Sequence, residues 1–297
     1  MLIKLKNHIQ TNFPYLKDKK LLLAISGGID SMVLLHIFHE LKYDITVAHC
    51  NFSLRDAEND ADEDFVKTTC EALKIPFHIQ RFDTKQFASD YKLSIQLAAR
   101  KLRYDWFLEL LSEKKLDYVL TAHHLDDEIE TFLINLTRGT GLEGLTGIPE
   151  KNENVIRPLL KFSREQIEIF AKENNIKWRE DSSNSSNKYL RNKLRHDVVP
   201  ILKELNPSFM HSFQNTLNNL KQSQSLVDDA SRIVYKKVVL EEENQKKIDL
   251  SELIQLKNYQ AYLYQWLKPL GFTAWDDIYD LVHAQSGKQV FLKIICC

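Results

Sequence analysis

The sequence predicts an α/β fold, a doubly wound parallel sheet, with a second, smaller all-α domain behind it. Three observations predict this. Short apolar runs alternate with amphipathic helical patterns through residues 1–150. Two of those runs end in turns rich in glycine or in histidine and aspartate, "SGGIDS" (26–31) and "AHHLDD" (122–127). Beyond residue 206 the pattern is helical, without strand alternation.

The elements follow in order. "LLLAI" is a buried strand, and "SMVLLHIFHEL" a helix with apolar positions at Met32, Leu35 and Phe38. "DITVAHCNF" is a second strand, and "ENDADEDFVKTTCEALKI" a helix that ends near Pro76. "FHIQRF" is a third strand, "SIQLAARKLRYDWFLELLSEKK" a long helix, "YVLTAHH" a fourth strand and "DEIETFLINLTR" a further helix. Ligands of such sheets bind beyond the carboxyl ends of the strands, where both special turns fall. "SREQIEIFAKENNI" and "NKLRHDVVPILKELNP" continue as helices, joined by the polar stretch "REDSSNSSNKY". The organisation expected is a catalytic domain over 1–205, with a basic helical segment from about 151, and a helical domain over 206–297.

Composition narrows the class. At 43% hydrophobic and 27% charged residues, the chain has the make-up of a soluble globular protein. No apolar run approaches the ~18 residues of a membrane span, and the N-terminus lacks a signal peptide's apolar stretch. Cys50, Cys70, Cys296 and Cys297 have neither CxxC spacing nor a disulfide framework, so a cytoplasmic location is expected. The net charge of −1 hides a gradient. Residues 1–150 hold 18 basic and 23 acidic side chains, 151–203 hold 12 and 7, and 204–297 hold 10 and 11. A basic segment behind an acidic domain fits a polyanionic partner, and equally a solvated face.

Six of the eight glycines fall in two clusters, Gly27–Gly28 and "RGTGLEGLTGI" (138–148). At a helix start, glycines let backbone N–H groups close on an anion and add the helix dipole. Ser26 and Ser31 add hydroxyl donors; Asp30 cannot bind phosphate and is suited to holding Mg2+. No lysine follows, so this is not GxxxxGK[ST], and the spacing is not GxGxxG. A tight turn with a capping serine would look the same.

"SGGIDS" resembles the PP-loop signature SGGxDS of the N-type ATP pyrophosphatases. "HCNFSLR" (49–55), "AARKLRY" (98–104), "TAHHLDDEIET" (121–131), "RGTGLEGLTGI", "IRPLL" (156–160) and "WREDSSNSSNKYLRNKLRHDVVPILKELNP" (178–207) resemble the further signatures of the tRNA(Ile)-lysidine synthetases, in their order and spacing. Phe52 departs from the histidine usual there. The resemblance implies the PP-loop fold, with ATP and Mg2+ as cofactors. It also implies the reaction: adenylation of the wobble cytidine C2 oxygen in an isoleucine tRNA with a CAU anticodon, then attack by free L-lysine. Many relatives continue beyond "SGKQVFLKIICC" into a further domain, so the chain is expected to be a short form or a truncated one.

The resemblance also implies site roles. Ser26, Gly27, Gly28, Ile29, Asp30, Ser31 and His123 bind ATP, with Asp30 holding the metal. Arg100 and Arg103, three apart on one helix face, could each clamp phosphate, Arg100 as a catalytic group and Arg103 as a substrate contact; a solvated helix face has the same spacing. Asp127 and Glu130 receive lysine's ammonium group and supply a base; acidic residues at a helix start also serve simply as dipole complements. Lys188, Arg191 and Arg195, with Lys193, meet tRNA phosphates. The glycine-rich stretch is expected to order on substrate binding. The partners implied are tRNA and free L-lysine, with no membrane; monomer and homodimer stay open. Three rivals remain. A tRNA thiolase of the kind that carries CxxC pairs lacks them here, an NAD or GMP synthetase would lack the later signatures, and a non-catalytic RNA-binding protein would not need Asp30.

Overall fold

The computed structural model describes residues 1–54, 56–180, 190–243, 245–285 and 287–291, apart from the side chains of Asp56 and Ala57. Lys188 lies outside the described residues. Two compact units emerge, Met1–Asn218 and Asn219–Cys297.

In the first unit, α1 (Leu2–Asn12) precedes β1 (Lys20–Ala24), α2 (Ile29–Glu40), β2 (Asp44–Asn51), α3 (Asp56–Leu73) and β3 (Phe77–Arg81). Then come α4 (Thr84–Asp90), α5 (Ile95–Lys114), β4 (Tyr118–Leu120), α6 (Leu125–Thr137), the short strands β5 (Lys151–Asn152) and β6 (Val155–Ile156), and α7 (Arg164–Glu173). The sheet order is β3-β2-β1-β4-β6-β5, parallel except for β5. The chain moves outward from β1 to β3, then returns to the other side of β1 with β4. That reversal opens a crevice at the carboxyl ends of β1 and β4, where such sheets bind ligands.

Strand side chains alternate between faces, and β1 shows it. Leu21 and Leu23 enter one core with Leu5 and Ile9 of α1, Leu34 and Phe38 of α2, and Ile167 and Phe170 of α7. Leu22 enters the opposite core with Trp106, Phe107, Leu110 and Leu111 of α5. All three leucines are fully buried, each contributing about 1.5–3 kcal/mol. This double burial explains why β1 reads as a continuous apolar run. Helix α5 begins where Ser94 accepts a hydrogen bond from the Leu97 N–H at 3.3 Å, and ends at Lys115 in a left-handed conformation.

After α7, α8 (Leu190–Lys193) runs through a π-helical turn (Leu194–Val198) into α9 (Val199–Leu205). Pro200 lies just inside α9, where it cannot donate to the preceding turn. Helix α10 (Phe209–Val238) buries Phe213 and Leu217 against Leu125 and Ile129 of α6. The first unit therefore runs to Asn218, past the break at Pro207 that is visible in the sequence.

The second unit is helical, with α11 (Leu250–Leu253), α12 (Tyr259–Leu267) and α13 (Trp275–Leu281) around Val238, Leu253, Leu263 and Ile278. Trp266 and Trp275 pack this core; the Tyr264 and Trp275 rings lie 4.6 Å apart. One hairpin, β7 (Val239–Glu242) with β8 (Gln245–Ile248), departs from the expected all-α pattern. Its strands carry cross-strand ion pairs instead of apolar alternation: Glu241–Lys246 at 2.8 Å and Glu242–Lys247 at 2.5 Å. No helix among the described residues is long and apolar enough to cross a membrane.

Candidate active site

The loop between β1 and α2 is held by one hydroxyl. Ser31 Oγ accepts from the backbone N–H groups of Ser26 and Gly27, each at 3.2 Å, and donates to the Gly28 carbonyl at 2.8 Å. Gly27 has φ +94°, and a Cβ there would meet Val66 and Phe65 at 3.6 and 3.7 Å. Gly28, at φ −73°, is the residue before the first turn of α2, and a Cβ there would meet only Ser26 Oγ, at 3.6 Å. The first glycine is needed for its backbone angle. The second leaves open space before a helix N-terminus. Ile29 is buried in the core beside this turn and also borders the cavity. The Arg179 N–H caps the loop from behind through the Gly27 carbonyl at 3.0 Å.

Two contiguous cavities open here, of about 250 and 700 Å3. Both are bordered by Ser26, Asp30, Phe52, Arg103 and Asp127. The smaller adds the apolar surfaces of Ile25, Ala48, Phe107 and Ala122; the larger adds mostly charged groups. Together they match the size of ordinary small-molecule sites.

The β4–α6 turn brings carboxylates to the same place. His124 Nε2 lies 3.6 Å from both Asp30 Oδ1 and Asp127 Oδ2. Asp127 Oδ2 accepts from the His124 backbone N–H at 3.0 Å. Burial pushes the Asp127 carboxyl up, but His124, His123 and that N–H outweigh it and hold its pKa below the usual range. Asp30 is shifted the other way. Burial raises its pKa, only partly offset by His124 and Arg164. Its Oδ2 takes Arg164 at 2.5 Å, while Oδ1 is buried with no hydrogen-bond partner among the described residues. A free anionic oxygen in a buried position suits a cation. Mg2+ is typically held by one or two carboxylates plus substrate phosphates, so Asp30 fits it, although no cluster of three acidic, histidine or cysteine ligands occurs among the described residues.

His123 borders the smaller cavity, its Nδ1 2.8 Å from Thr121 Oγ1. Burial, aided by Arg157, Arg191 and Arg103, lowers its pKa to about 4. It is neutral at pH 7. Cys50 borders both cavities, but burial pushes its thiol up to about 12, leaving it inert.

Two expectations change here. Glu130 does not border either cavity; its side chain is 1% exposed and is held by Arg195 at 2.6 Å and Arg191 at 3.1 Å. A buried carboxylate needs such partners. Arg191 and Arg195, expected on tRNA phosphates, pair with Glu130 while bordering the smaller and the larger cavity, and Asp127 is the carboxylate of this helix start that borders both. Arg103 borders both cavities with its guanidinium 5.2 Å from the Phe52 ring; Arg100 lies over Tyr104 at 4.8 Å and borders neither. The glycine-rich stretch forms a 3-10 turn over Leu142–Leu145, tied to α6 by Asn135 Nδ2 on the Gly144 carbonyl at 2.8 Å.

Arg164, His124 and Arg179 are parts of the site that sequence reasoning missed. Arg164 lies 134 positions from the Asp30 it pairs with, and only the fold joins them.

Comparisons with known proteins give the family. Residues 1–202 match the family model described as a PP-loop domain, and residues 241–293 that described as a TilS substrate binding domain. The tRNA(Ile)-lysidine synthase of Bacteroides thetaiotaomicron is 39% identical over 292 residues, covering 96% of this chain and 67% of that protein. That of Porphyromonas gingivalis is 39% identical over 278 residues, covering 92% and 60%. The chain thus spans about three fifths to two thirds of the length of these curated relatives. Among solved structures, the U34-tRNA thiolase NcsA from Methanococcus maripaludis shares the fold, with a TM-score of 0.59 at 20% identity over 74% of this chain and 78% of that one. By its sequence, from the loop after β1 to the second unit, the chain belongs to the tRNA(Ile)-lysidine synthase family of PP-loop proteins.

Proposed function

We propose that the chain ligates L-lysine to C2 of the wobble cytidine in an isoleucine tRNA with a CAU anticodon, consuming ATP. The observation that carries this is the meeting of an anion-accepting loop and an ionised carboxylate, Asp127, at one crevice of a family member. The β1–α2 loop, with open space at Gly28 ahead of α2, takes ATP phosphates at the N-terminus of that helix. The apolar part of the smaller cavity suits a base.

In the first step the cytosine C2 oxygen bonds to the α-phosphorus of ATP, the bond to the β-phosphate oxygen breaks, and pyrophosphate leaves. Negative charge grows on the leaving group, where N–H donors and a guanidinium lower the barrier. Arg164, held between Asp30 and Glu168 at 2.5 and 2.9 Å, is within the same crevice. Mg2+ held through Asp30 would neutralise phosphate charge there. In the second step the lysine ε-amine attacks C2 and AMP departs. Asp127 is ionised, draws in the ammonium and accepts the proton the amine must lose, which then passes to solvent. Glu130 acts one layer behind, fixing Arg195 beside Asp127 (3.6 Å).

Pyrophosphate release tests the reading without lysine. The wild-type chain with ATP, Mg2+ and CAU tRNA is expected to release pyrophosphate, and Asp30→Asn to lose at least tenfold in rate. Release that is independent of tRNA, or unaffected by Asp30→Asn, would sink it.

A further inference from the structure

The arginines around the crevice fall into two classes. Arg164, Arg179, Arg191 and Arg195 each have a carboxylate within 3.1 Å. Arg100, Arg103 and Arg157 make no ion pair among the described residues, and they cluster. Arg157 is only 5% exposed; its Nη1 donates to the Pro149 carbonyl at 2.8 Å, and its Nε is buried without a hydrogen-bond partner. Tyr104 stands between Arg157 and Arg100: Arg100 lies over its ring at 4.8 Å, and Arg157 interacts with it while being repelled by Arg100. Arg103 and Tyr104 border the smaller cavity, and Arg103 and Arg157 both bear on His123.

Burying a guanidinium with no counter-charge is costly, and the chain supplies counter-charges freely elsewhere around this crevice. Arg157 and Arg100 meet at Tyr104 without a carboxylate, and Arg103 borders the smaller cavity with that tyrosine, an arrangement that amounts to a missing anion. Guanidinium forks match phosphate oxygens in geometry and charge. The nucleotide already has the β1–α2 loop and the N-terminus of α2. The remaining phosphate source in the proposed reaction is the RNA backbone.

We propose that Arg157, with Arg100 and Arg103, forms a phosphate subsite that takes a backbone phosphodiester beside the target cytidine. This rests on the RNA substrate proposed above. Arg157 is a positioning residue here: it fixes Tyr104 and adds charge from beneath, while Arg100 and Arg103 reach the phosphate. Phosphate contacts of this kind set the register of the strand without reading its sequence.

The test uses the full chain, a CAU anticodon hairpin and fluorescence anisotropy over a series of salt concentrations, with ATP titrations beside it. Arg157→Gln is expected to weaken hairpin binding about tenfold and to lower the slope of log affinity against log salt by about one. Arg157→Lys is expected to keep the slope, which a merely structural role would not require. ATP affinity is expected to stay within about twofold. If Arg157→Gln does not fold, Arg100→Gln, at an exposed helix position, is expected to show the same loss of slope. Unchanged slopes in these variants would overturn the subsite, as would a loss confined to ATP, which would assign the charge to the nucleotide. Lysine transfer by the wild type separates the two readings. Transfer with unchanged slopes sinks the subsite alone, whereas RNA binding with the expected slope loss but no transfer sinks the function alone.

Discussion

Alanine at Gly28 and at Gly27 separates ligand binding from folding within one loop. At φ −73° and ψ 160°, Gly28 has angles open to any residue, and its Cβ would find only Ser26 Oγ at 3.6 Å. Restricting the unfolded chain stabilises by ~0.4–1 kcal/mol. Losing a good residue ahead of the helix costs a similar amount. The stability of Gly28→Ala is therefore expected within about 1 kcal/mol of wild type. The methyl, however, projects into the larger cavity, which Gly28 borders. Pushing phosphate off a charge-assisted N–H donor costs ~1.5–3 kcal/mol, or roughly 10- to 150-fold in affinity. Gly27→Ala behaves differently. Its Cβ contacts of 3.6–4.0 Å are ordinary, but φ +94° strains an L residue by about 1–3 kcal/mol, so the loss appears in folding. Urea unfolding followed by tryptophan fluorescence reads stability, and calorimetric titration with a non-hydrolysable ATP analogue reads binding. Wild-type affinity in Gly28→Ala would refute the phosphate cradle. Wild-type stability in Gly27→Ala would refute the strain argument.

Other consequences follow from the buried charges and the metal chemistry. His123 has a folded pKa of about 4 against an unfolded 6.5, so between those values the unfolded state binds a proton that the folded state refuses. Stability should thus fall as pH drops from 6.5 to 4, by up to about 3 kcal/mol, and the fall should shrink in His123→Gln; parallel curves for the two proteins would contradict this. Glu130→Gln leaves two guanidinium groups facing an amide. The expected cost in urea unfolding is about 2–3 kcal/mol, below the 3–5 of a fully buried pair because Arg191 and Arg195 are 44% and 34% exposed; a loss under about 1 kcal/mol would contradict it. Chelating Mg2+ with EDTA should stop pyrophosphate release while leaving the thermal midpoint within about 1 °C, because Mg2+ that shares its ligands between Asp30 and substrate holds no part of the fold together.

Local signals were legible and long-range pairings were not. The continuous run of Leu21, Leu22 and Leu23 announced a strand buried on both faces, and Ser94 marked the start of α5 within one residue. Of the β1–α2 glycines, Gly27 was readable because positive φ restricts the residue type at a single position. The fate of a charge depends instead on what folds over it. Glu130 looked like its neighbour Asp127, yet Arg195, 65 positions away, closes on it and removes it from the cavity wall. Arg157 in "IRPLL" gave no hint of burial, since the turn at Pro149 and the α5 side chain of Tyr104, both distant in sequence or pattern, contribute to enclosing it. Helix α4 and the β5–β6 pair were missed because elements of seven and two residues carry too few periods to register.

The most direct measurement is transfer of radiolabelled lysine to RNA, with ATP and Mg2+, comparing an isoleucine tRNA transcript bearing CAU with one whose wobble base is U. Label is expected in the first alone, with one AMP and one pyrophosphate released per lysine. Equal labelling of both transcripts, or pyrophosphate release from the CAU transcript without label, would contradict a lysine-ligating site at this crevice.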